Sequence, residues 1–179
     1  MDDLQQLIND CAANNRLSQE KLYRRFYPAL FVLCNRFFAD NHQALEALND
    51  GMLKVYKQLQ QYDTEKGSFF NWMYTIIRNT ALDKLKARHF FIVQVVDEHT
   101  LNIVQQESTP LQLLEHKDVH VLLQMLPPAT RVICTLFYLD GFSIKDICHQ
   151  LQISSGTVKW HLSEIRKKLK PFLKAYYSS

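Results

Sequence analysis

The feature that most constrains the fold is the recurrence of apolar residues every three or four positions, in long segments that hold no glycine or proline. The 179 residues include only 4 Gly and 5 Pro, and apolar side chains make up 47% of the chain. Such spacing places apolar residues on one face of an α-helix, whereas a half-buried strand requires strict alternation, which persists nowhere. The chain is therefore predicted to be all-α, with enough residues for one ordinary domain or two small ones.

The helical patterns form two groups with a polar stretch between them. The predicted helices lie near residues 3–14, 18–38, 42–60, 68–88, 111–125, 128–139, 144–151 and 155–170. Ser18, Asn41 and Ser68 are predicted as N-caps, Pro128 as a first-turn proline, and Gly141 as a helix end that needs positive φ.

The domain boundary is predicted at DEHTLNIVQQESTP, residues 97–110, which carries few helical signals and ends on a proline. The chain is therefore divided into a first domain at residues 1–95, a flexible linker at residues 96–110 and a second domain at residues 111–179.

Cysteine usage and the lack of long apolar runs favour a soluble protein of a reducing compartment. The four cysteines are scattered without a CxxC pair, mostly among apolar neighbours, and are predicted to be reduced, buried thiols. The N-terminus MDDLQQLIND is acidic where a signal peptide is basic, and the run FYPALFVLCN is about half the length of a membrane span. We expect a cytoplasmic protein without membrane insertion.

The net charge of +3 hides a basic C-terminal end. Residues 153–179 carry six basic side chains and one acidic one, whereas residues 96–118 carry one basic and five acidic. A clustered basic end indicates a polyanionic partner, although alone the signal is weak, because a charged final helix is more often only solvated.

The segment SIKDICHQL, QIS, SGTVKWHLSEIRKKLK predicts a helix, a three-residue turn and a second helix. The second helix has one apolar face, formed by Val158, Leu162, Ile165 and Leu169. Its other side is small, then aromatic, then basic, and carries Gly156, Lys159, Trp160, Ser163, Arg166, Lys167 and Lys170. A helix-turn-helix needs this division, because its apolar side packs on the preceding helix while its outer side enters the DNA major groove.

An amphipathic packing helix with solvated lysines is the alternative interpretation of this segment. Gln152 counts slightly against a helix-turn-helix, since a small residue is usual at that point of the turn. The upstream helix, the short turn and the clustered basic residues favour the helix-turn-helix.

Residues 67–90, GSFFNWMYTIIRNTALDKLKARHF, combine an apolar stripe with a polar and aromatic arc. The stripe predicted to face the core contains Phe70, Met73, Ile77, Thr80 and Ala81. The arc contains Trp72, Thr75, Asn79, Asp83 and Lys86. A Trp in this company is typical of a surface that stacks on an unpaired base, with Lys84, Lys86 and Arg88 placed to hold the DNA backbone. A Trp72 half-buried against a neighbouring helix is the alternative.

Both segments resemble sigma factors of the extracytoplasmic function (ECF) group, bacterial proteins that direct core RNA polymerase to promoters. KGSFFNWMYTIIRNTALDKLKAR is similar to the family's GSFxxWLYxIARNxAxDxLR stretch. LPPATRVICTLFYLDGFSIKDICHQLQISSGTVKWHLSEIRKKL is similar to its LPxxxRxVxxLxxxxGxSxxEIAxxLxISxGTVKSRLxRAxKxL stretch. The resemblance, over about residues 5–172, implies a region 2 helical bundle that opens the −10 element and a region 4 helix-turn-helix that reads the −35 element.

The resemblance and the helical arcs together assign residues to three surfaces. The −10 surface would hold Trp72, Tyr74, Arg78, Asn79, Asp83 and Lys86. The −35 surface would hold Thr157, Lys159, Trp160, His161, Ser163, Arg166 and Lys167. The surface for the clamp helices of the largest polymerase subunit would hold Glu46, Asn49, Asp50 and Leu53.

The chain departs from the family pattern at two places. In ALEALNDGMLKVYKQL, Asn49 and Asp50 replace the family's Gln and Glu. Gly51 is expected to interrupt the helix, because glycine costs about 1 kcal/mol of helix propensity. Binding to core polymerase is therefore expected to be weaker. His161 and Glu164 stand where basic residues are common, so the −35 contact is expected to be less electrostatic and more pH-sensitive.

The partners implied are core RNA polymerase, promoter DNA and an anti-sigma factor, and no cofactor is expected. One alternative is a helix-turn-helix regulator that works without polymerase and has an N-terminal sensor or dimerisation domain. Another is a metal-dependent enzyme, since His116 and His120 lie four residues apart, but the chain has no HExxH motif and no Gly-rich phosphate loop.

Overall fold

The computed structural model describes residues 3–87 and 118–177, with the side chains of residues 3–87 and 119–171. The chain divides into two compact units, Met1–Leu85 and Lys86–Ser179. All regular structure within the described residues is helical, which confirms the all-α prediction. The predicted linker at residues 96–110 lies outside the described residues, and the limits of the two domains stay a prediction.

The first unit contains four α-helices in the described residues. They are α1 (Asp3–Ala12), α2 (Arg16–Asn35), α3 (Asn41–Gln58) and α4 (Phe69–Ala87), with 3₁₀ turns at Leu59–Gln61 and Thr64–Lys66 between the last two. The side chains of Asn15 and Asp40 cap α2 and α3, in place of the predicted Ser18 and Asn41. Ser68 does cap α4, because its Oγ accepts a hydrogen bond from the Asn71 backbone N–H at 3.3 Å.

The core of this unit is formed by apolar residues from all four helices. Its buried members include Ile8, Leu22, Leu30, Leu33, Leu48, Val55, Phe69, Met73, Ile77 and Leu82. Phe69 takes the buried position that was predicted for Phe70. Phe70 is only half-buried, and its ring lies 6.0 Å from that of Tyr74 and 6.2 Å from that of Phe26.

Gly51 lies inside a continuous α3, so the expectation that it interrupts the helix is wrong. A Cβ atom at this position would stand 2.8 Å from Ile77 Cγ1 and 3.1 Å from Ile77 Cα on α4. Glycine is therefore required here because the α3 backbone approaches α4 too closely for any side chain. Glycine has a low intrinsic helix propensity, and the close packing of α3 on α4 offsets this disadvantage.

The second unit contains four α-helices in the described residues. They are α5 (Asp118–Gln124), α6 (Pro128–Cys134), α7 (Ile144–Leu151) and α8 (Ser155–Tyr177), with a π-helical turn at Thr135–Leu139 after α6. Pro128 occupies the first turn of α6 and Gly141 has φ 71°, as predicted. The helix predicted at residues 155–170 continues through Pro171 to Tyr177.

Arg131 is a buried charge that ties α6 to the end of α5. Its Nε donates to the Leu123 carbonyl at 2.8 Å, and its Nη2 donates to the carbonyls of Leu126 at 3.1 Å and Gln124 at 3.3 Å. Burial lowers the pKa of the guanidinium. The arginine thereby caps carbonyl groups that a helix end leaves without intrahelical partners.

The four cysteines all lie in the described residues and are free thiols, as predicted. Cys11, Cys34 and Cys134 are buried as predicted, whereas Cys148 is partly exposed, so its predicted burial is wrong. Burial raises the thiol pKa to about 11 at Cys11, to about 12 at Cys34 and to about 11 at Cys134. Among the helices described, none has the length and apolar character needed to cross a membrane.

Candidate nucleic-acid and polymerase interfaces

Trp72 lies on α4 with an aromatic support beneath it. Its ring centroid is 5.6 Å from that of Phe69, which is buried, and 5.5 Å from that of Tyr62 in the preceding loop. The Tyr62 hydroxyl donates to the Gly67 carbonyl at 3.1 Å, which fixes the loop beside the indole. Trp72 is therefore half-buried within its own unit, against Phe69 and Tyr62, and part of the indole remains exposed.

Three more residues of the predicted −10 surface are partly exposed on α4 and already engaged. The Tyr74 hydroxyl accepts a hydrogen bond from Arg36 Nη1 at 3.3 Å. Arg78 donates through Nε and Nη2 to Asn79 Oδ1, both at 3.4 Å. These contacts pre-orient polar groups beside Trp72, which lowers the entropy that is lost when a partner binds.

Asp83 and Lys84 are adjacent in sequence but point to different neighbours. Asp83 Oδ2 lies 3.9 Å from Lys54 Nζ, and the carboxylate stays largely exposed. The lysine offsets part of the repulsion that this carboxylate would exert on phosphates. Lys84 was predicted to hold the DNA backbone, which is wrong, because its ammonium faces α3 and pairs with carboxylates there. Arg88 lies outside the described residues.

The four residues predicted to bind polymerase form a single exposed ridge on α3. This ridge, called the α3 ridge below, contains Glu46, Asn49, Asp50 and Leu53. Leu53 is 57% exposed although it is a large apolar residue. Asn49 Oδ1 accepts a hydrogen bond from the Tyr23 hydroxyl at 2.9 Å, and Lys84 Nζ lies 2.8 Å from Glu46 Oε1 and 2.7 Å from Asp50 Oδ2. The ridge therefore combines acidic and amide groups with one unburied leucine.

In the second unit, α7, a short turn and α8 form the predicted helix-turn-helix. A capping box starts α7: Ser143 Oγ accepts from the Asp146 N–H at 3.2 Å, and Asp146 Oδ2 accepts from the Ser143 N–H at 3.2 Å. Hydrogen bonds from the Ser143 hydroxyl and backbone N–H lower the pKa of Asp146. Gln152 takes the left-handed conformation, with φ 56° and ψ 42°, which explains why glycine is usual at this point.

The two faces of α8 are arranged as the spacing predicted. Val158, Leu162 and Ile165 are buried against their unit, whereas Leu169, predicted on the same face, is only partly buried. The residues of the −35 prediction that are fully or partly exposed are Thr157, Lys159, Trp160, Ser163, Arg166 and Lys167. Ser154 Oγ caps the helix by accepting from the Thr157 N–H at 3.1 Å, and Lys167 Nζ lies 2.7 Å from Glu164 Oε1. Lys159 and Arg166 are accessible to phosphates near both ends of this surface.

His161 does not belong to that surface, and its prediction as a −35 contact is wrong. The side chain is completely buried and its Nδ1 lies 2.9 Å from Thr130 Oγ1 on α6. A ring in this position fastens α8 to α6. Because His161 is not on the outer side of α8, the predicted pH sensitivity of a His161–DNA contact does not apply. The burial of His161 could have been predicted from helical spacing, because His161 is only about 60° around the helix from Val158.

The sequence patterns do not predict four residues that support these helices: Tyr62, Thr130, Arg131 in its capping role, and Lys84 in its pairing with α3. The described residues contain no cluster of three or more His, Cys, Asp or Glu side chains that could hold a metal ion. His120 is exposed on α5, and His116, its proposed partner in a metal site, lies outside the described residues.

Comparison with known proteins matches both units to one family. The Sigma-70 region 2 model matches residues 22–90, and the Sigma-70 region 4 model matches residues 116–169. The chain is 24% identical over 165 residues to the ECF RNA polymerase sigma factor SigE of Mycolicibacterium smegmatis, covering 90% of this chain and 63% of that protein. It is 26% identical over 189 residues to the RNA polymerase sigma-H factor of Pseudomonas aeruginosa, covering 95% of each chain.

The chain is also similar to a solved structure of the sigma factor RpoE of Bartonella quintana, determined in complex with the anti-sigma factor NepR. The match covers 87% of this chain and 96% of the matched chain, with a TM-score of 0.48 and 23% identity. The two family regions occur in the chain in the order 2 then 4, and together they span well over half of its length. The chain belongs to the ECF group of the sigma-70 family.

Proposed function

We propose that this chain is a non-enzymatic initiation factor that binds core RNA polymerase and directs it to promoters through three separate surfaces. The α3 ridge binds the clamp helices of the largest polymerase subunit. The exposed arc of α4 contacts and opens the −10 element, and the outer face of α8 reads the −35 element. Region 2 lies within residues 1–95 and region 4 within residues 111–179.

One observation carries the proposal: the first unit presents two different exposed surfaces on adjacent helices. The α3 ridge exposes Leu53 among acidic and amide side chains, which suits a protein partner. The α4 arc exposes part of Trp72 on a rigid aromatic support, which suits stacking on an unpaired base. A regulator that works without polymerase needs neither surface in its N-terminal half, and that alternative is not favoured.

The −35 surface is proposed as Thr157, Lys159, Trp160, Ser163, Arg166 and Lys167. Thr157 and Lys159 lie in the first turns of α8, where side chains of a recognition helix reach base edges. Arg166 and Lys167 lie further along and supply contacts to phosphates. Replacing Arg166 is expected to weaken promoter binding at all sequences and to reduce its salt dependence by about one ion.

The −10 surface is proposed as Trp72, Tyr74, Arg78, Asn79, Asp83 and Lys86. Trp72 stacks on an opened base, Asn79 and Asp83 present polar groups to base edges, and Lys86 contacts the backbone. A cytoplasmic location and an anti-sigma partner are part of the same proposal and rest on family membership.

The test mixes the full chain with bacterial core polymerase and measures co-elution together with runoff transcription from genomic fragments. Binding to core polymerase with discrete start sites is the expected result. Trp72→Ala and Asn79→Ala should then reduce promoter opening, followed by permanganate reactivity of unpaired thymines, far more than they reduce core binding. Leu17→Ala is the matched control, because Leu17 is 70% exposed on α2 and outside all three surfaces.

The opposite pattern would overturn the proposal. A chain that ignores core polymerase and yet shifts duplex DNA by itself is a free-standing regulator. Equal losses of core binding and promoter opening in Trp72→Ala would show that the α4 arc does not act on DNA.

A further inference from the structure

Lys84 lies between two carboxylates of the α3 ridge. Its Nζ is 2.8 Å from Glu46 Oε1 and 2.7 Å from Asp50 Oδ2, and its side chain is only 22% exposed. Both distances are those of charge-assisted hydrogen bonds. Desolvation acts to lower the pKa of Lys84, but the hydrogen bonds to Asp50 and Glu46 outweigh it and raise the pKa overall, so the lysine stays charged at neutral pH.

Glu46 and Asp50 need such a partner because of where they stand on α3. They are four residues apart on one helix face, a spacing at which two like charges repel each other. An ammonium between them offsets that repulsion and holds both side chains in one arrangement. Glu46 remains 49% exposed and Asp50 47% exposed, so each keeps surface for a second partner.

We propose that Lys84 is a positioning residue for polymerase binding, which holds Glu46 and Asp50 in the orientation that basic groups of core polymerase engage. This inference rests on the proposed function of the α3 ridge. The lysine belongs to α4, so the helix that carries the −10 surface also supports the polymerase surface. Without Lys84, the two carboxylates separate and must be ordered again when polymerase binds, which weakens binding.

The packing of α3 on α4 does not depend on Lys84. Leu48, Met52, Val55, Ile77 and Leu82 are buried in the first unit, and Gly51 contacts Ile77 directly. Partly exposed ion pairs contribute little to stability beside an apolar contact of this kind. Loss of Lys84 is therefore expected to change binding much more than folding.

The experiment measures binding of the full chain to core polymerase by biolayer interferometry, together with thermal unfolding. Lys84→Met is expected to weaken the Kd about tenfold, mainly through faster dissociation, because mutations at one interface act mostly on the off-rate. Lys84→Arg keeps the charge and should recover most of the affinity. Lys84→Gln serves as a second neutral variant, with the same expected loss, if Lys84→Met does not fold.

Lys54→Met is the matched control, because Lys54 also joins α3 to α4 but lies 3.9 Å from Asp83 and is 46% exposed. It should leave the Kd within about twofold, since surface pairs of this geometry contribute little. A loss at Lys54→Met equal to that at Lys84→Met would mean that the pairing of Lys84 with Glu46 and Asp50 has no special part in binding, and this would overturn the inference.

A double-mutant cycle separates the inference from the function on which it rests. In the background Glu46→Gln with Asp50→Asn, which itself should bind core polymerase weakly, Lys84→Met should have no further effect on the Kd. If that background binds normally, the α3 ridge is not the polymerase surface and both statements fail. If the background binds weakly but Lys84→Met alone binds normally, or weakens binding equally in both backgrounds, only the positioning role of Lys84 fails.

Discussion

His161 of α8 lies 2.9 Å from Thr130 of α6, nitrogen to hydroxyl oxygen, and both side chains are buried. The helix that carries the proposed −35 surface is thus fastened to its own unit through a polar contact inside the core. A buried hydrogen bond of this kind fixes the rotation of a helix more narrowly than apolar packing does, because its strength depends on the distance and direction between the two groups.

The first prediction concerns this pair. His161→Ala should lower the free energy of unfolding of the second unit by about 2–4 kcal/mol, through a cavity and the loss of the buried hydrogen bond to Thr130. Thr130→Val should lower it by about 1 kcal/mol, and the double variant by less than the sum of the two. Urea unfolding followed by Trp160 fluorescence, in a Trp72→Phe background, measures this unit specifically.

Lys159→Ala is the control for this pair, since Lys159 is exposed on the same helix and should not change stability. If the His161→Ala chain keeps full stability but loses −35 binding, His161 contacts DNA and does not act in the core.

The second prediction concerns the turn between α7 and α8. Gln152 has φ 56°, a conformation that is unfavourable by roughly 1–2 kcal/mol for a residue with a Cβ atom. Gln152→Gly should therefore stabilise the second unit by about 0.5–1 kcal/mol, less than the full amount because glycine also gains freedom in the unfolded chain. The same Trp160 unfolding assay measures it. Gln152→Ala, which retains the Cβ atom, should give no such gain; a gain as large as that of glycine would exclude backbone strain as the cause.

The third prediction concerns the close approach of α3 to α4. Gly51→Ala should destabilise the first unit by about 1–3 kcal/mol, because the added methyl group overlaps Ile77. Unfolding followed by Trp72 fluorescence in a Trp160→Phe background measures the change. Gly156→Ala, measured in the second unit by the Trp160 assay, is the matched control in a helix, since its nearest neighbour would be Ser154 Oγ at 3.6 Å. A stabilising Gly51→Ala would mean that helix propensity, not packing, governs this position.

The fourth prediction concerns the thiols. Cys148, which is partly exposed, should react with a thiol reagent in the native chain, whereas Cys11, Cys34 and Cys134 should react only after unfolding. Labelling followed by mass spectrometry checks the order. Native labelling of Cys34 at the rate of Cys148 would show that the first unit opens readily.

The thiols also predict a loss of stability in alkali. The folded pKa values of about 11, 12 and 11 at Cys11, Cys34 and Cys134 lie above the unfolded value, so the unfolded chain releases protons first as the pH rises. Their contribution is complete below about pH 8.5 and declines from there towards pH 12. Replacing Cys34 by Ala should flatten this decline in the unfolding midpoint measured against pH.

Local patterns in the sequence were enough for the helices and for most of their faces. The spacing of Val158, Leu162 and Ile165 placed the buried side of α8, and the limits Ile144–Leu151 of α7 agree with the prediction because a capping residue and a short turn mark both ends. Helical periodicity is a property of neighbouring residues, so it can be read without knowing what the helix packs against. The residues of the α3 ridge were instead assigned through the resemblance of ALEALNDGMLKVYKQL to a family segment.

Only the tertiary structure decided residues whose environment depends on another helix. His161 lies at the margin of the apolar stripe, and it is buried because Thr130 of α6 stands beside it, 31 residues away. Gly51 was predicted to break the helix because the α3 sequence alone does not show that Ile77 of α4 packs against it. Lys84 was predicted to contact phosphates because its carboxylate partners belong to another helix, α3. The sequence by itself determined which sides of the helices are apolar; the packing of helices determined which marginal residues are buried, because that depends on contacts between distant parts of the chain.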